Sequence, residues 1–343
     1  MSKILIFHHS DLDGIGVKIV GIRVAQMEGK EYETYKCNYN DVNNIIRDRL
    51  NKGLDGVDTI LIGDISVDQY TAQLLEDTRK TYDIDLMLRD HHATAEWLDK
   101  AYEWAFVAEK LDEVPYCGTY LLAREFPAVM NELKVFVDTV DDWDTWKWTK
   151  NNNEDAKKLN GLLQVVGEER FTDYILHNVY EENKKIGCII SDSSDLFDTW
   201  ASSMVEAHDL FVQKTAKNCA KNMFTTTVTA RNHVYLTGVV FCNSDISDVA
   251  NDILDNHPEL DILMLVGFPR NISFRTHKEL DVPLGDIAKM MTGSGGGHPQ
   301  AAGSVISKKQ FTAAMAYFLH NTTSYNDEKG LYFSPLELND KED

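Results

Sequence analysis

Nowhere does the 343-residue chain string together the ~20 apolar residues that a membrane-spanning helix needs. Close cysteine pairs are missing too. Cys37, Cys117, Cys188, Cys219 and Cys242 are odd in number and widely scattered, which excludes paired-cysteine zinc and redox motifs and points to reduced thiols. Acidic residues follow the short apolar run of MSKILIFHHSDLDG where a signal peptide would carry its cleavage site, so a cytoplasmic protein is expected. Positive charge is scarce as well: 34 Lys and Arg stand against 55 Asp and Glu, a net charge of −21. That balance opposes long duplexes and favours a small charged substrate or a metal site. Internal repeats and low-complexity segments are absent.

What is present is an apolar fraction of 43%, enough for two ordinary cores at this length. The first part alternates short apolar runs with amphipathic stretches, the pattern of a doubly wound, mainly parallel α/β sheet. Strands are expected at Ile4–Phe7, Tyr35–Cys37, Thr59–Ile62 and Ile84–Leu88. Helices are expected over Gly14–Met27, Val42–Leu50, Tyr70–Arg79, Gly118–Phe126 and Val129–Val140. One long helix is expected over Ser194–Met223, after which the texture turns β-rich. A hairpin is expected with Arg231-Asn232 at its turn, then a helix over Asp245–Asn256, strands at Ile262–Val266 and Ile272–Arg275, and helices over Pro283–Met291 and Gln310–His320. These elements divide the chain into a catalytic domain at 1–190, a helical connector at 191–223 and a smaller α/β domain with a polar tail at 224–343.

Chemistry-bearing residues gather where strands end. His9, Asp11 and Asp13 follow the first strand, Asp64 follows TILIG, and Asp90, His91 and His92 follow IDLMLR. In an open α/β sheet, ligands bind at the carboxyl ends of the strands. Seven Asp and His residues at one edge would repel one another unless cations neutralise them. Each taken alone has an ordinary reading as a cap or a strand-end polar residue; together they point to divalent metal.

These motifs resemble the DHH phosphoesterase superfamily in order and character: His-x-Asp-x-Asp-Gly at the start, the strand-end Asp64, and Asp90-His91-His92. The later stretch Ser294-Gly295-Gly296-Gly297-His298-Pro299-Gln300-Ala301-Ala302-Gly303 resembles the glycine-rich signature of the associated DHHA1 domain. The resemblance brackets the chain from Phe7 to Gly303. It implies two divalent ions, manganese first, with magnesium or cobalt as alternatives. By position, His9 and Asp11 would hold one ion, Asp13 and His91 the other, and Asp64 would bridge. Asp90 would orient a ligand from behind, and His92 would face the substrate phosphate. A further Asp ligand is expected from Val137–Trp146, with Asp142 taken first and Asp144 next. Arg275 and the loop of Gly296, Gly297 and His298 would grip the substrate's phosphate or terminal group. Trp143, Trp146 and Trp148 read as packing residues and not as a base-stacking platform.

The resemblance is nearest to nanoRNase and cyclic-nucleotide phosphodiesterase relatives. It implies a phosphodiesterase acting on short oligonucleotides or small nucleotides, with no long-duplex or membrane partner and a homodimer as one option for its assembly. The rival readings are a RecJ-like single-strand exonuclease, opposed by the acidic charge, and a non-catalytic nucleotide-sensing module, opposed by the complete set of ligand types.

Overall fold

The computed structural model describes residues 2–185, 187, 189–268, 270–277, 280, 282–292, 295–297 and 300–309, and the strand positions 325, 326, 330 and 331. The chain divides into two compact units, Met1–His208 and Asp209–Asp343. Among the described residues, no helix is long and apolar enough to cross a membrane.

The first unit opens with β1 (Lys3–His8), α1 (Leu12–Glu28), β2 (Glu31–Lys36), α2 (Val42–Asn51), β3 (Val57–Gly63), α3 (Gln69–Tyr82), β4 (Asp85–Asp90), α4 (Glu96–Ala101) and β5 (Ala105–Val107). The strands form a five-stranded sheet in the order β2-β1-β3-β4-β5, parallel at every pairing. Successive side chains of a strand face opposite ways, so the apolar run of β1 feeds two cores. Ile4 and Ile6 pack with Ile15, Ile19 and Phe136 on one side. Leu5 and Phe7 pack with Ile46, Leu75 and Leu98 on the other. The sheet is therefore doubly wound, as the sequence pattern predicts. Strand order reverses at β1, which opens a crevice at the carboxyl ends of β1 and β3.

After a small hairpin of β6 (Lys110–Leu111) and β7 (Val114–Pro115), the unit continues with α5 (Gly118–Ala123), α6 (Pro127–Asp144), α7 (Trp148–Asn151), α8 (Glu154–Val166) and α9 (Glu168–Asp173). A π-helical stretch, Tyr174–Glu181, leads into α10 (Glu182–Lys185). The long helix expected over Ser194–Met223 is interrupted at its start. Ser193–Leu196 forms a 3-10 turn and α11 runs from Thr199 to Lys221, because the Asp198 carboxylate accepts from Ala201 N at 2.8 Å and caps a new helix.

The second unit carries β8 (Phe224–Ala230), β9 (His233–Phe241), α12 (Ile246–Asn256), β10 (Ile262–Gly267), β11 (Asn271–Arg275), α13 (Leu284–Thr292), β12 (Gly296–Gly297) and β13 (Ala301–Val305). They make a six-stranded mixed sheet in the order β12-β13-β11-β10-β9-β8, in which β9 and β10 run parallel. Arg231 and Asn232 both have positive φ, 49° and 62°, between the paired Ala230 and His233, the two-residue turn that matches strand twist. The helix expected over Gln310–His320 lies outside the described residues.

Gly14 sets the tightest approach in the first unit. A Cβ there would lie 2.2 Å from the His9 carbonyl oxygen, so the first turn of α1 can fold back on the end of β1 only with glycine. Gly14→Ala should destabilise the first unit by at least the ~1–3 kcal/mol of an overpacked site. In a thermal melt this appears as a fall of several degrees, since 1 kcal/mol moves a unit of this size by roughly 2–4 °C. An unchanged melt would contradict the close approach.

Candidate metal centre

Three strand ends and one helix end deliver the site. The chain leaves β1 at His9, and Asp11 caps α1 by accepting from Gly14 N at 3.0 Å. Asp13 follows in the first turn of α1. Asp64 follows β3 directly with φ 56°, a left-handed conformation that an Asp tolerates better than most side chains. Asp90 ends β4 and is followed by His91 and His92, while Asp144 is the last residue of α6.

Asp64 stands at the middle. Its Oδ2 lies 3.5 Å from His9 Nδ1, which is 2.9 Å from Asp11 Oδ2. Its Oδ1 lies 3.4 Å from His91 Nε2, which also has Asp144 Oδ2 at 3.6 Å and Asp13 Oδ2 at 3.8 Å. The two oxygens of one carboxylate thus face two separate sets of donors. In His9-Asp11-Asp64, and again in Asp13-His91-Asp144, the donor atoms all lie within 4.8 Å of one another, as a bound ion requires.

Burial, and after it the charges of Asp13 and Asp11, push the carboxyls of Asp64 and Asp144 well above the usual carboxylate range. Burial is the largest single influence on His9 and opposes its charge, but the Asp11 hydrogen bond together with the charges of Asp11 and Asp13 raises the imidazole. Asp64 Oδ2, Asp90 Oδ2 and Asp144 Oδ2 are buried without a hydrogen-bond partner. Buried carboxylate oxygens left unpaired in a crowd of like charge are expensive, and divalent cations satisfy them. An oxygen-rich set with two imidazoles and no thiolate suits a hard-to-borderline ion.

Hydrogen bonds separate the two neighbouring histidines. Asp90 Oδ1 accepts from His91 N at 2.8 Å and from His92 N at 3.3 Å, and pairs with His92 Nδ1 at 2.8 Å. His92 Nε2 lies 3.0 Å from the hydroxyl of Tyr39. Both His92 nitrogens are therefore engaged, whereas His91 Nε2 points into three carboxylates. This geometry fits the ligand role expected of His91 and the positioning role expected of Asp90.

Of the two acidic candidates on α6, the structure brings Asp144 to the cluster and not Asp142. Asp141 points inward, accepting from Cys117 N at 2.8 Å and pairing with Lys147 Nζ at 2.5 Å. Asp144 sits three residues on, along the same helix face. Asp142 is turned away, accepting from Asn151 at 3.1 Å and Asn153 at 2.9 Å. The surplus of acids hid this from the sequence, because the spacing of Asp144 from Asp141 becomes informative only once Asp141 is known to be buried. Tyr39 was also missed. It lies on the loop after β2, beside β1 in the sheet, and its ring contacts those of His9 and His92 at 5.2 and 5.8 Å between centroids.

The site is braced from below. Asp13 accepts from Gly118 N and Thr119 N, both at 2.7 Å, which ties α1 to α5. A Cβ on Gly118 would lie 2.8 Å from Asp64 Cβ, so α5 packs directly behind the central carboxylate.

In the second unit, Arg275 ends β11. Its guanidinium donates to Ser247 Oγ at 3.1 Å and to the Phe274 carbonyl at 3.0 Å, and burial lowers its pKa. Gly296 and Gly297 form the edge strand β12. Gly297 pairs with Ala302, which in turn pairs with Phe274 beside Arg275. His298 lies outside the described residues.

No protein-family profile matches the chain. It is 26% identical over 321 residues to oligoribonuclease NrnB of Bacillus subtilis, covering 91% of this chain and 75% of that protein. It is 23% identical over 341 residues to a 3′,5′-cyclic-nucleotide phosphodiesterase of Helicobacter pylori, covering 89% and 93%. Among solved structures, exonuclease RecJ bound to manganese aligns with a TM-score of 0.51 at 13% identity, over 92% of this chain and 88% of that one, a likeness of fold. In its motifs and in the geometry that bears them, the chain resembles the DHH superfamily of phosphoesterases, in keeping with its likeness to these two phosphodiester-cleaving relatives.

Proposed function

We propose that the protein is a nanoRNase-like phosphodiesterase of the cytoplasm. It would hydrolyse short oligonucleotides or small cyclic or linear nucleotides with two divalent ions, manganese first. The observation that carries this reading is the placement of Asp64 between two His-Asp sets, one oxygen toward each. His9 and Asp11 would hold one ion, Asp13, His91 and Asp144 the other, and Asp64 would bridge. Ions so held would supply Lewis-acid activation of water and neutralise charge on the transferring phosphoryl group. The chain's own part is to fix these carboxylates in a buried, preorganised cluster and to hold His92 at its mouth, oriented by Asp90, for the phosphate. Arg275, Gly296, Gly297 and His298 would bind the substrate's remaining phosphate or terminal group. The four described cysteines, Cys37, Cys117, Cys219 and Cys242, are free thiols, which suits a reducing compartment.

A RecJ-like exonuclease acting on long single strands is disfavoured, because a net charge of −21 repels an extended polyanion along its length.

Metal analysis after manganese loading should find close to two equivalents, and Asp64→Ala should lose both together with all but roughly a tenth or less of turnover. One equivalent retained by Asp64→Ala would remove the bridging role.

Asp144 and Asp142 give a paired test from opposite faces of the same helical turn. Even outer partners of a metal ligand are worth roughly 10–100-fold in affinity or activity, so Asp144→Asn should cost at least that. Asp142→Asn should stay within about threefold of the wild type, because the side chain faces away from the cluster and an asparagine oxygen can still accept from Asn151 or Asn153. Rates and bound manganese measured side by side decide it, and equal effects would refute the assignment.

Arg275→Ala should leave metal content intact and lower kcat/KM for a dinucleotide by roughly one to two decades, the value of a charge-assisted hydrogen bond. The loss should be larger for the dinucleotide than for a nitrophenyl phosphodiester. Equal losses would mean that Arg275 supports the fold of its sheet instead.

A further inference from the structure

The three tryptophans after Asp142 do not share one fate. Trp143 is half-buried with its ring near-parallel to both others, at 6.5 Å and 20° from Trp146 and at 5.8 Å and 25° from Trp148. Trp146 remains 54% exposed and adopts φ 60°. A bulky side chain in the left-handed region is rare and strained, so the surroundings must hold it in place. They do so: Trp146 N donates to the Trp143 carbonyl at 3.2 Å, and the next residue, Lys147, pairs with buried Asp141 and lies 4.4 Å above the Tyr116 ring. Asn151 and Asn153 close the same turn onto Asp142. A large flat ring is thus presented to solvent by a turn that is fastened at several points.

Its position matters more than its exposure. Trp146 is two residues beyond Asp144, so their Cα atoms are at most about 7 Å apart. Asp144 in turn lies 3.6 Å from His91. A phosphodiester held at the cluster carries its bases one ribose away from the phosphorus. The surrounding carboxylates offer a base no donor suited to its acceptors, whereas an indole offers a neutral π-face that every base can stack on.

We propose that Trp146 is a stacking subsite for one nucleobase of the substrate, tolerant of base identity and placed beside the Asp144 limb of the metal centre. This rests on the phosphodiesterase reading and adds what the enzyme grips apart from phosphate. Stacking on an aromatic side chain is worth about 10- to 100-fold per base, so removing the base that occupies the subsite should cost that much in kcat/KM.

The test compares a dinucleotide with two abasic versions of it, each lacking one base. The wild type should lose about 10- to 100-fold on one of the two abasic substrates and little on the other. Trp146→Ala should cleave the complete dinucleotide as poorly as the wild type cleaves that abasic one, and should no longer distinguish them; Trp146→Phe should keep most of the distinction. Unchanged melting and metal content in Trp146→Ala separate loss of the subsite from loss of fold. Adenosine 5′-monophosphate should quench tryptophan fluorescence in the metal-loaded wild type and not in Trp146→Ala. A Trp146→Ala enzyme that still discriminates against the abasic substrate, or handles the full dinucleotide like the wild type, overturns the proposal. If the metal-loaded wild type cleaves neither a dinucleotide nor a cyclic nucleotide nor a nitrophenyl phosphodiester, the phosphodiesterase reading fails on its own, and the quenching experiment alone decides whether Trp146 binds a base.

Discussion

Mutual repulsion among buried carboxylates is the constraint around which the first unit is organised. Asp64 and Asp144 are held where burial and neighbouring acids both oppose their charge, and each keeps an oxygen without a hydrogen-bond partner. A fold that tolerates this has two ways out, protonation or cation binding. The imidazoles of His9 and His91, facing separate oxygens of Asp64, favour the second. Assembly of the centre would then be linked to metal binding, because an ion would supply the attraction that the carboxylates lack among themselves.

The scaffold answers that repulsion with rigidity. A fully parallel sheet fixes the ends of β1, β3 and β4 in one row, and a buried helix, α1, begins inside the cluster. Its first turn closes onto His9 through Gly14, and α5 closes onto Asp64 through Gly118. His8, fully buried beneath, pairs its Nδ1 with the His9 carbonyl at 2.8 Å, and burial lowers its pKa to about 4, so it adds no positive charge near neutrality. Carboxylates that cannot move apart keep their spacing whether or not they repel.

Much of this was legible in the sequence because its physics is local. Apolar runs such as ILIF and TILI end in chemistry-bearing residues, and a strand's end is where an α/β sheet binds ligands. What was not legible depends on rotation and on neighbours. Asp142 and Asp144 differ by two residues, which on a helix turns the side chain by more than half a revolution, and composition carries no sign of which faces inward. Tyr39 reaches the site because β2 lies beside β1, a tertiary fact. The three-residue β5 is too short for a periodic pattern, and β13, with the sequence AAGSV, has too few large apolar residues to read as a strand. Trp146 escaped for a different reason: tryptophan in a run of aromatics is most often packed, and only the left-handed turn after α6 shows that this one is displayed.

An acidic enzyme with an anionic substrate poses an electrostatic difficulty that the structure resolves in two parts. Nearest the reacting phosphate, the carboxylates would serve as ligands, and the charge a substrate meets there would be the balance between them and the ions they would hold. Farther out, net negative charge penalises each additional phosphate, so affinity gained from phosphate contacts falls as a strand lengthens. A neutral aromatic face beside the cluster escapes that penalty, since stacking depends on the base and not on the backbone. A substrate with one or two bases and few phosphates gains the stacking without the repulsion. The same charge that opposes long strands would therefore favour short ones.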